Sequence, residues 1–254
     1  MTALQIRQFP VLDDNYAFLV HDRESGETAA IDTPDADAIL AELDRAGWKL
    51  TAIWNTHWHA DHAGGNAALK AATGAQIIGP EEVARLGSPP DRIVAGGDQV
   101  QLGRHRADVL AVGGHTLGHI AFHFPEAKLA FVGDALFALG CGRMFEGDPA
   151  QMWASLQRLA ALPEDTAVYC AHEYTVANAR FALAVDGENA ALQQRAKDIS
   201  ALRAQGLPTL PTRIGLELAT NPFLRAPALK AGLGLAEDVE AFAELRRRKD
   251  HFTG

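Results

Sequence analysis

The chain has few cysteines and no long apolar run. Only Cys141 and Cys170 are present among 254 residues, too few for the disulfide framework of a small secreted domain. No apolar stretch approaches the roughly 18 residues that a transmembrane helix needs. The segment Met1–Arg7 also lacks the charged start and long apolar centre of a signal peptide. These absences predict an intracellular, reduced protein, cytoplasmic and without a membrane partner.

Basic residues are also scarce, with 23 Lys and Arg against 32 Asp and Glu, a net charge of −9. This balance argues against nucleic acid as a partner, because phosphate backbones are bound by basic surfaces. The deficit lies in residues 1–173, which carry 12 basic and 23 acidic residues, whereas residues 174–254 carry 11 and 9. The more basic second segment is consistent with an anionic ligand.

The chain is otherwise ordinary for a globular protein, with 48% hydrophobic and 22% charged residues. Residues 1–173 alternate short apolar strand patterns with helical ones. One such helix is expected to open at Pro34-Asp35 and to stop at Gly47, whereas residues 79–98 have the composition of a loop. From Thr175 onward helical patterns dominate, at Thr175–Val185, Asn189–Ala204 and Ala236–Lys249. We therefore predict an α/β domain over residues 1–173 and a helical domain over residues 174–254.

The densest cluster of metal-ligating residue types lies in the stretch Thr56–His62. His57, His59, Asp61 and His62 fall within six residues, between a predicted strand and a helical run. Imidazole and carboxylate together suit borderline first-row divalent metals, and such loops present reactive groups from a rigid scaffold. A polar surface loop with scattered histidines is the plainer alternative. It leaves the ligand-type residues downstream without an explanation.

Three further residues, His115, Asp134 and His172, each follow an apolar strand pattern. Strands of one sheet that end on the same edge bring such side chains together. With the first four they make seven ligands, more than one tetrahedral zinc accepts, and two metals about 3.5–4 Å apart account for all of them, with Asp134 as the bridge. His119 and His123 are expected to be outer hydrogen-bonding or packing residues instead.

Narrower motifs accompany this ligand pattern. The H-x-H-x-D-H motif, followed by His115, Asp134 and His172, resembles the metallo-β-lactamase superfamily, and the match is closer to its glyoxalase II branch, the hydroxyacylglutathione hydrolases. The closer resemblance is carried by Gly133–Phe137, Gly140–Gly147, His172–Thr175, Asn221–Phe223 and Arg246–Phe252. It implies an α/β fold in which residues 1–173 form a four-layer αββα sandwich, the catalytic domain. Residues 174–254 would form a small all-helical C-terminal domain that contributes to glutathione binding.

The resemblance also implies roles for individual residues. One metal ion would be held by His57, His59 and His115. The other would be held by Asp61, His62 and His172, with Asp134 bridging the two. Asp61 and Asp134 would be the catalytic residues. Glutathione would be bound by Arg143, Phe145, Tyr174, Arg246 and Lys249, although members of the branch often have lysine in place of Arg143 and tyrosine in place of Phe145.

The implied activity is hydrolysis of S-(2-hydroxyacyl)glutathione thioesters. S-lactoylglutathione would give lactate and glutathione, the second step of methylglyoxal detoxification. A hydroxide bridging two divalent ions, zinc ahead of iron or manganese, would attack the thioester carbonyl. The expected partner is this small molecule alone, and the protein is expected to be a monomer.

Other functions stay open on the sequence alone. Within the superfamily they are another thioester or lactam hydrolase, a glutathione persulfide dioxygenase and an RNA-processing nuclease. Asp134 as a bridge disfavours a lactamase, the basic helical tail disfavours the dioxygenase, and the acidic composition disfavours the nuclease. A non-catalytic metal-binding or redox-sensing module is the alternative outside enzymology, and metal-dependent turnover of a thioester would distinguish it.

Overall fold

The computed structural model describes residues 4–254, so residues 1–3, where the segment Met1–Arg7 begins, lie outside it. The chain forms two compact units. One comprises residues 4–111 and Gly118–Gly133, and the other comprises Val112–Leu117 and Asp134–Gly254. Within the described residues, no helix combines the length and the apolar character that crossing a bilayer requires.

The first unit is built on two β-sheets. Strands of the first sheet lie in chain order: β1 (Gln5–Val11), β2 (Asn15–His21), β3 (Thr28–Ile31), β4 (Ala52–Trp54), β5 (Gln76–Gly79) and β6 (Arg92–Ile93). The first three pair antiparallel and the remaining pairings are parallel. Four antiparallel strands of the second sheet follow: β7 (Gln99–Leu102), β8 (His105–Ala111), β9 (Ile120–Phe124) and β10 (Leu129–Gly133).

Helices cover one face of the first sheet. They are α1 (Ala36–Ala46), the single turn α2 (Ala60–Ala63) and α3 (Asn66–Thr73). The Asp35 side chain caps α1 by accepting the N–H of Ala38, and Gly47 ends it in the left-handed region at φ +68°. The predicted start and stop of this helix are confirmed. Apolar side chains of α1 and α3 pack against the strands in one core: Ile39, Leu43 and Leu69 with Leu19, Ile53 and Ile77.

Aromatic side chains fill the space between the two sheets. The ring of Trp54 on β4 lies 5.1 Å from that of Phe122 and 5.7 Å from that of Phe124, both on β9. Phe18 on β2 meets Phe131 on β10 edge to face at 5.5 Å. Large rings packed in this way exclude water from the space between the sheets. The two sheets of this unit are therefore joined by an aromatic core.

The second unit is mainly helical. Its elements are the hairpin β11 (Leu136–Phe137) and β12 (Gly140–Cys141), α4 (Pro149–Ala160), the antiparallel pair β13 (Ala167–Cys170) and β14 (Thr212–Arg213), α5 (Thr175–Val185), α6 (Ala190–Ala204), α7 (Ile214–Thr220), α8 (Ala226–Leu229) and α9 (Asp238–Asp250). The three helices predicted after residue 174 are confirmed. The loop expected over residues 79–98 contains a 3₁₀ helix, Glu81–Leu86, and β6. These pieces are too short to show a hydrophobic period.

A buried ion pair stabilises the second unit. Glu217, fully buried, accepts hydrogen bonds from the Arg195 guanidinium and from the Thr212 hydroxyl through one oxygen. Its other oxygen accepts the backbone N–H of Leu139 at 2.9 Å and the side-chain amide of Asn221 at 3.0 Å. Leu139 lies in the β11–β12 turn at φ +57°, where a leucine is strained. Glu217, which lies on α7, therefore fixes the turn by accepting a hydrogen bond from its backbone.

We expect Arg195→Met to lower the free energy of unfolding by about 3–5 kcal/mol, because it leaves the Glu217 carboxylate buried without a counter-charge. Urea denaturation followed by circular dichroism measures the difference. Arg180→Met, at an exposed position of α5, is the matched control and should change stability by less than about 0.5 kcal/mol. A loss below about 1 kcal/mol for Arg195→Met would contradict this account of the pair.

Candidate metal centre and substrate cavity

The loop after β4 and the helix α2 that follows it carry the predicted ligands of the first unit, His57 and His59 in the loop and Asp61 and His62 in α2. Asn55 fastens this loop by donating from its side-chain amide to the carbonyl oxygen of His62 at 3.0 Å. Asn66 donates in turn to the Asn55 side chain at 2.8 Å and accepts from the Thr33 hydroxyl at 2.7 Å. All these residues are buried. The backbone that presents the histidines is therefore fixed by a closed set of hydrogen bonds.

Asp32, which the sequence analysis did not select, sets the orientation of His62. It follows β3 with φ +57° and accepts from the Thr56 backbone N–H and hydroxyl, each at 2.8 Å. Its Oδ2 also lies 2.8 Å from Nδ1 of His62. Because a carboxylate only accepts, Nδ1 of the neutral ring carries the proton, which leaves Nε2 as the acceptor. Asp32 is a strand-end aspartate like Asp134, and that pattern was the signal available for it.

The other predicted ligands of this unit lie beside His62. Oδ2 of Asp61 lies 3.5 Å from Nε2 of His62 and accepts from Asn15 at 3.1 Å. Nε2 of His57 lies 3.0 Å from Nδ1 of His59, and the His57 ring is fully buried. The imidazole of His119 stacks on that of His57 with ring centroids 4.5 Å apart. The structure thus brings the four motif residues together and places His119 against one of them.

The second unit contains the remaining three predicted ligands. Nδ1 of His115 lies 2.8 Å from the carbonyl oxygen of Arg143, so that nitrogen donates and Nε2 is the acceptor of the neutral ring. Nε2 of His115 lies 3.4 Å from Oδ2 of Asp134, and Nε2 of His172 lies 3.3 Å from Oδ1. The Tyr174 ring stacks on His172 at 4.6 Å, nearly parallel. Asp134 therefore turns one oxygen toward each of two histidines.

The donor atoms in each unit fit a divalent cation. The acceptor nitrogen Nε2 faces a carboxylate oxygen at 3.4 Å in His115 and at 3.5 Å in His62. The lone pairs of the nitrogen and the oxygen repel each other, whereas a cation placed between these two atoms attracts both. Asp32, His57 and His62 also offer ligand atoms within 4.8 Å of one another. Asp32 already accepts hydrogen bonds from Thr56 and His62, so its part in such a site would be to orient His62.

A cavity of about 490 Å³ in the second unit opens beside His115 and Asp134. Its wall contains all five residues predicted to bind the substrate: Arg143, Phe145, Tyr174, Arg246 and Lys249. The Phe145 side chain is 62% exposed, and its ring meets His115 edge-on at 5.2 Å. An aromatic and cationic wall of this kind suits a small organic anion.

The cations of this wall differ in their surroundings. Arg246 is only 4% exposed; it donates to the Cys141 carbonyl at 2.9 Å and to Oδ1 of Asp250 from Nε and Nη2 at 3.1 and 2.8 Å. Lys249 donates to the Ala177 carbonyl at 3.1 Å. Burial lowers the pKa of Lys249, and the neighbouring charges of Arg246 and Arg143 lower it further. Arg143 is the most exposed of the three.

The two cysteines lie in this unit, and both are buried. Burial raises the pKa of Cys141 to about 11 and raises that of Cys170 as well. Both thiols are therefore protonated at neutral pH and are poor nucleophiles. His123, on β9, is likewise buried and its pKa is lowered by desolvation, in keeping with a packing residue.

Comparisons with known proteins agree with the fold. The model of the metallo-beta-lactamase superfamily matches residues 24–172, and that of the hydroxyacylglutathione hydrolase C-terminus matches residues 173–252. The crystal structure of ETHE1 from Myxococcus xanthus is similar with a TM-score of 0.71 and 27% identity, covering 96% of this chain and 90% of that one. The predicted α/β fold of the metallo-β-lactamase type with a helical C-terminal domain is confirmed.

Two further proteins bear on the family. The crystal structure of TTHA1623 in a di-iron-bound form is similar with a TM-score of 0.62 and 28% identity, covering 87% of this chain and 100% of that one. A protein of Maricaulis maris named hydroxyacylglutathione hydrolase is 57% identical over 99% of this chain and 100% of its own length. The chain therefore belongs to the hydroxyacylglutathione hydrolase family of the metallo-β-lactamase superfamily.

Proposed function

We propose that this protein hydrolyses S-(2-hydroxyacyl)glutathione thioesters, with S-lactoylglutathione as the main substrate. The observation that carries the proposal is the cavity in which Arg143, Tyr174 and Lys249 stand on the same wall as His115 and Asp134. A thioester whose thiol arm lies along the cationic part would bring its carbonyl toward the two candidate ligands. The full-length relatives bearing the name of this activity support the same substrate class.

The proposed ligand set is the one that the family resemblance implies. His57, His59 and His115 would hold one divalent ion, and Asp61, His62 and His172 the other, with Asp134 between them. Imidazole and carboxylate donors favour zinc, iron or manganese, of which we propose zinc; the di-iron form of TTHA1623 supports a two-metal centre. When bound, such ions lower the pKa of water and polarise a carbonyl group.

The chain's own residues orient this chemistry. Asp32 and the Arg143 carbonyl each hold the proton of one histidine on Nδ1, which leaves Nε2 for coordination. Asp61, held by Asn15, would orient the attacking water. In the reaction, water oxygen bonds to the thioester carbon and the carbon–sulfur bond breaks. A leaving thiol with a pKa near 8.5 departs as a thiolate without a strong general acid. The reaction therefore needs no proton donor or nucleophile from the two buried cysteines.

We further propose that the protein works as a monomer in the cytoplasm on this small molecule, without a nucleic-acid or membrane partner. The net charge of −9 supports the absence of a nucleic-acid partner, and the scarcity of cysteine supports a reducing compartment. Steady-state hydrolysis of S-lactoylglutathione, with metal analysis of the same sample, tests the function directly. Metal-loaded protein that does not turn over this thioester would refute it.

The proposed bridge predicts the effect of Asp134→Ala. We expect purified protein to hold close to two metal ions per chain and the variant to lose metal and activity together, with kcat reduced at least about 100-fold, because no carboxylate then neutralises both cations. Elemental analysis and steady-state rates measure both quantities. Asp108→Ala, at a carboxylate on β8 outside the motif, should change neither. A variant with both metals and full rate would contradict the bridging role.

The buried thiols make a prediction about pH. Because both cysteines are protonated at neutral pH, Cys141→Ala and Cys170→Ala should keep kcat within about threefold and leave the acidic limb of the pH–rate profile in place. Since the pKa of Cys141 is raised to about 11, iodoacetamide should alkylate it slowly at pH 8 and faster as the pH approaches that value. Activity abolished in a metal-loaded cysteine variant would instead favour a covalent thiol mechanism.

The cationic wall predicts a separation of KM from kcat. We expect the double variant Arg143→Met, Lys249→Met to raise KM for a glutathione thioester at least several-fold with kcat within about threefold, because contacts far from the carbonyl are equal in ground and transition states. Arg246 is left in place because it also holds the Cys141 carbonyl.

Arg248→Met, at an exposed position of the same helix, is the matched control and should leave KM unchanged. Steady-state kinetics with S-lactoylglutathione measure both constants. An unchanged KM in the double variant would remove these two residues from substrate binding.

A further inference from the structure

One carboxylate in the cavity wall has no part in the proposed chemistry. Asp250, the last residue of α9, lines the cavity among its cations. Among the described residues of that wall, Asp134 is the other acid, and it belongs to the candidate metal ligands. A negative charge is unexpected in a site for a ligand that bears two carboxylates, because like charges repel. Its contacts indicate what it does there.

Asp250 is the internal counter-ion of two arginines. Its Oδ1 accepts two hydrogen bonds from the Arg246 guanidinium, at 2.8 and 3.1 Å, and lies 3.7 Å from Nε of Arg143. The Asp250 side chain is 36% exposed and that of Arg143 is 65% exposed, whereas that of Arg246 is 4% exposed. The pair Asp250–Arg246 is therefore partly buried, and Arg143, which lines the same cavity, is mostly exposed.

The cations of the wall are close enough to affect one another. The charges of Arg246 and Arg143 contribute to the lowered pKa of Lys249, and the charge of Asp250 acts in the opposite direction. Without Asp250, three positive charges would share a half-buried wall. A carboxylate entering the cavity is thus attracted by the cations and repelled by Asp250, which already occupies the donors of Arg246 that face it.

We propose that Asp250 sets the affinity of the cavity by standing in for a ligand carboxylate, and that it thereby promotes release of glutathione after hydrolysis. The inference rests on the proposed function. Substrate and product share the glutathione arm, so contacts to that arm bind both equally and do not accelerate the chemical step. Without the charge of Asp250, the three cations of the wall would bind the product glutathione more tightly and would not increase kcat. Asp250 is an affinity-determining residue, and it takes no part in bond making.

The test is Asp250→Asn, which removes the charge and keeps an oxygen acceptor for Arg246. We expect the inhibition constant of glutathione, measured as competitive product inhibition, to fall roughly tenfold, since a repulsive charge is removed beside the bound carboxylate. KM for S-lactoylglutathione should fall with it. The small neutral thioester S-acetyl-N-acetylcysteamine should be hydrolysed with unchanged kcat/KM.

Glu244→Gln is the matched control. Glu244 lies on the same helix, bonded to Arg247 and Arg248 at 2.8 Å, and the substitution removes the same charge outside the cavity. It should leave the inhibition constant of glutathione unchanged. Asp250→Glu restores the negative charge and should return the inhibition constant toward that of the unaltered protein.

An unchanged or raised inhibition constant in folded Asp250→Asn overturns the proposal and makes Asp250 a residue that only positions Arg246. Asp250→Ser, which leaves room for water at Arg246, carries the same expectation if the asparagine variant does not fold. Failure of the proposed function is distinguishable, because the unaltered protein would then neither hydrolyse S-lactoylglutathione nor bind glutathione.

Discussion

The candidate metal centre is defined by the crowding of atoms that carry lone pairs and repel one another. Imidazole nitrogens face carboxylate oxygens at 3.3–3.5 Å at His62, His115 and His172. Such contacts are unfavourable in a buried site until a cation neutralises them. The fold maintains two of these contacts by hydrogen bonds to the far side of the ring, at His62 from Asp32 and at His115 from the Arg143 carbonyl. Because these side chains are already arranged in the folded protein, the free energy needed to bring them together is supplied by folding and not by binding.

The backbone around these ligands is held by buried polar contacts as well as by apolar packing. In the first unit the amides of Asn55 and Asn66 fix the loop after β4. In the second, Glu217 and Asn221 hold the turn between β11 and β12, and β11 itself begins two residues after Asp134. Buried polar networks are favourable only when every member is satisfied. They fix a single loop geometry, which hydrophobic contacts, being non-directional, do not.

Internal contacts also distinguish the charged residues of the cavity wall. Arg246 is buried and bonded to Asp250, so its charge is balanced within the protein, whereas Arg143 is exposed. Arg246 therefore contributes a positive charge to the wall and also fixes the shape of the wall through its hydrogen bonds to Cys141 and Asp250. Position in the sequence does not distinguish these roles, because Arg246, Arg247 and Arg248 are consecutive and only burial separates them.

The sequence by itself determined the element pattern and the ligand types. Helix caps such as Asp35 and Gly47 act locally, and the motif from His57 to His62 is contained in six consecutive residues, so both are visible without tertiary information. Only the tertiary structure decided the role of Asp32, which lies 24 residues before its partner Thr56, and the pairing of Asp250 with Arg143, 107 positions apart. These contacts join side chains across long separations, where neither periodicity nor spacing carries a signal. The two-residue strand β14 belongs with them, since it pairs with residues of β13 that lie 44 and 46 positions earlier in the chain.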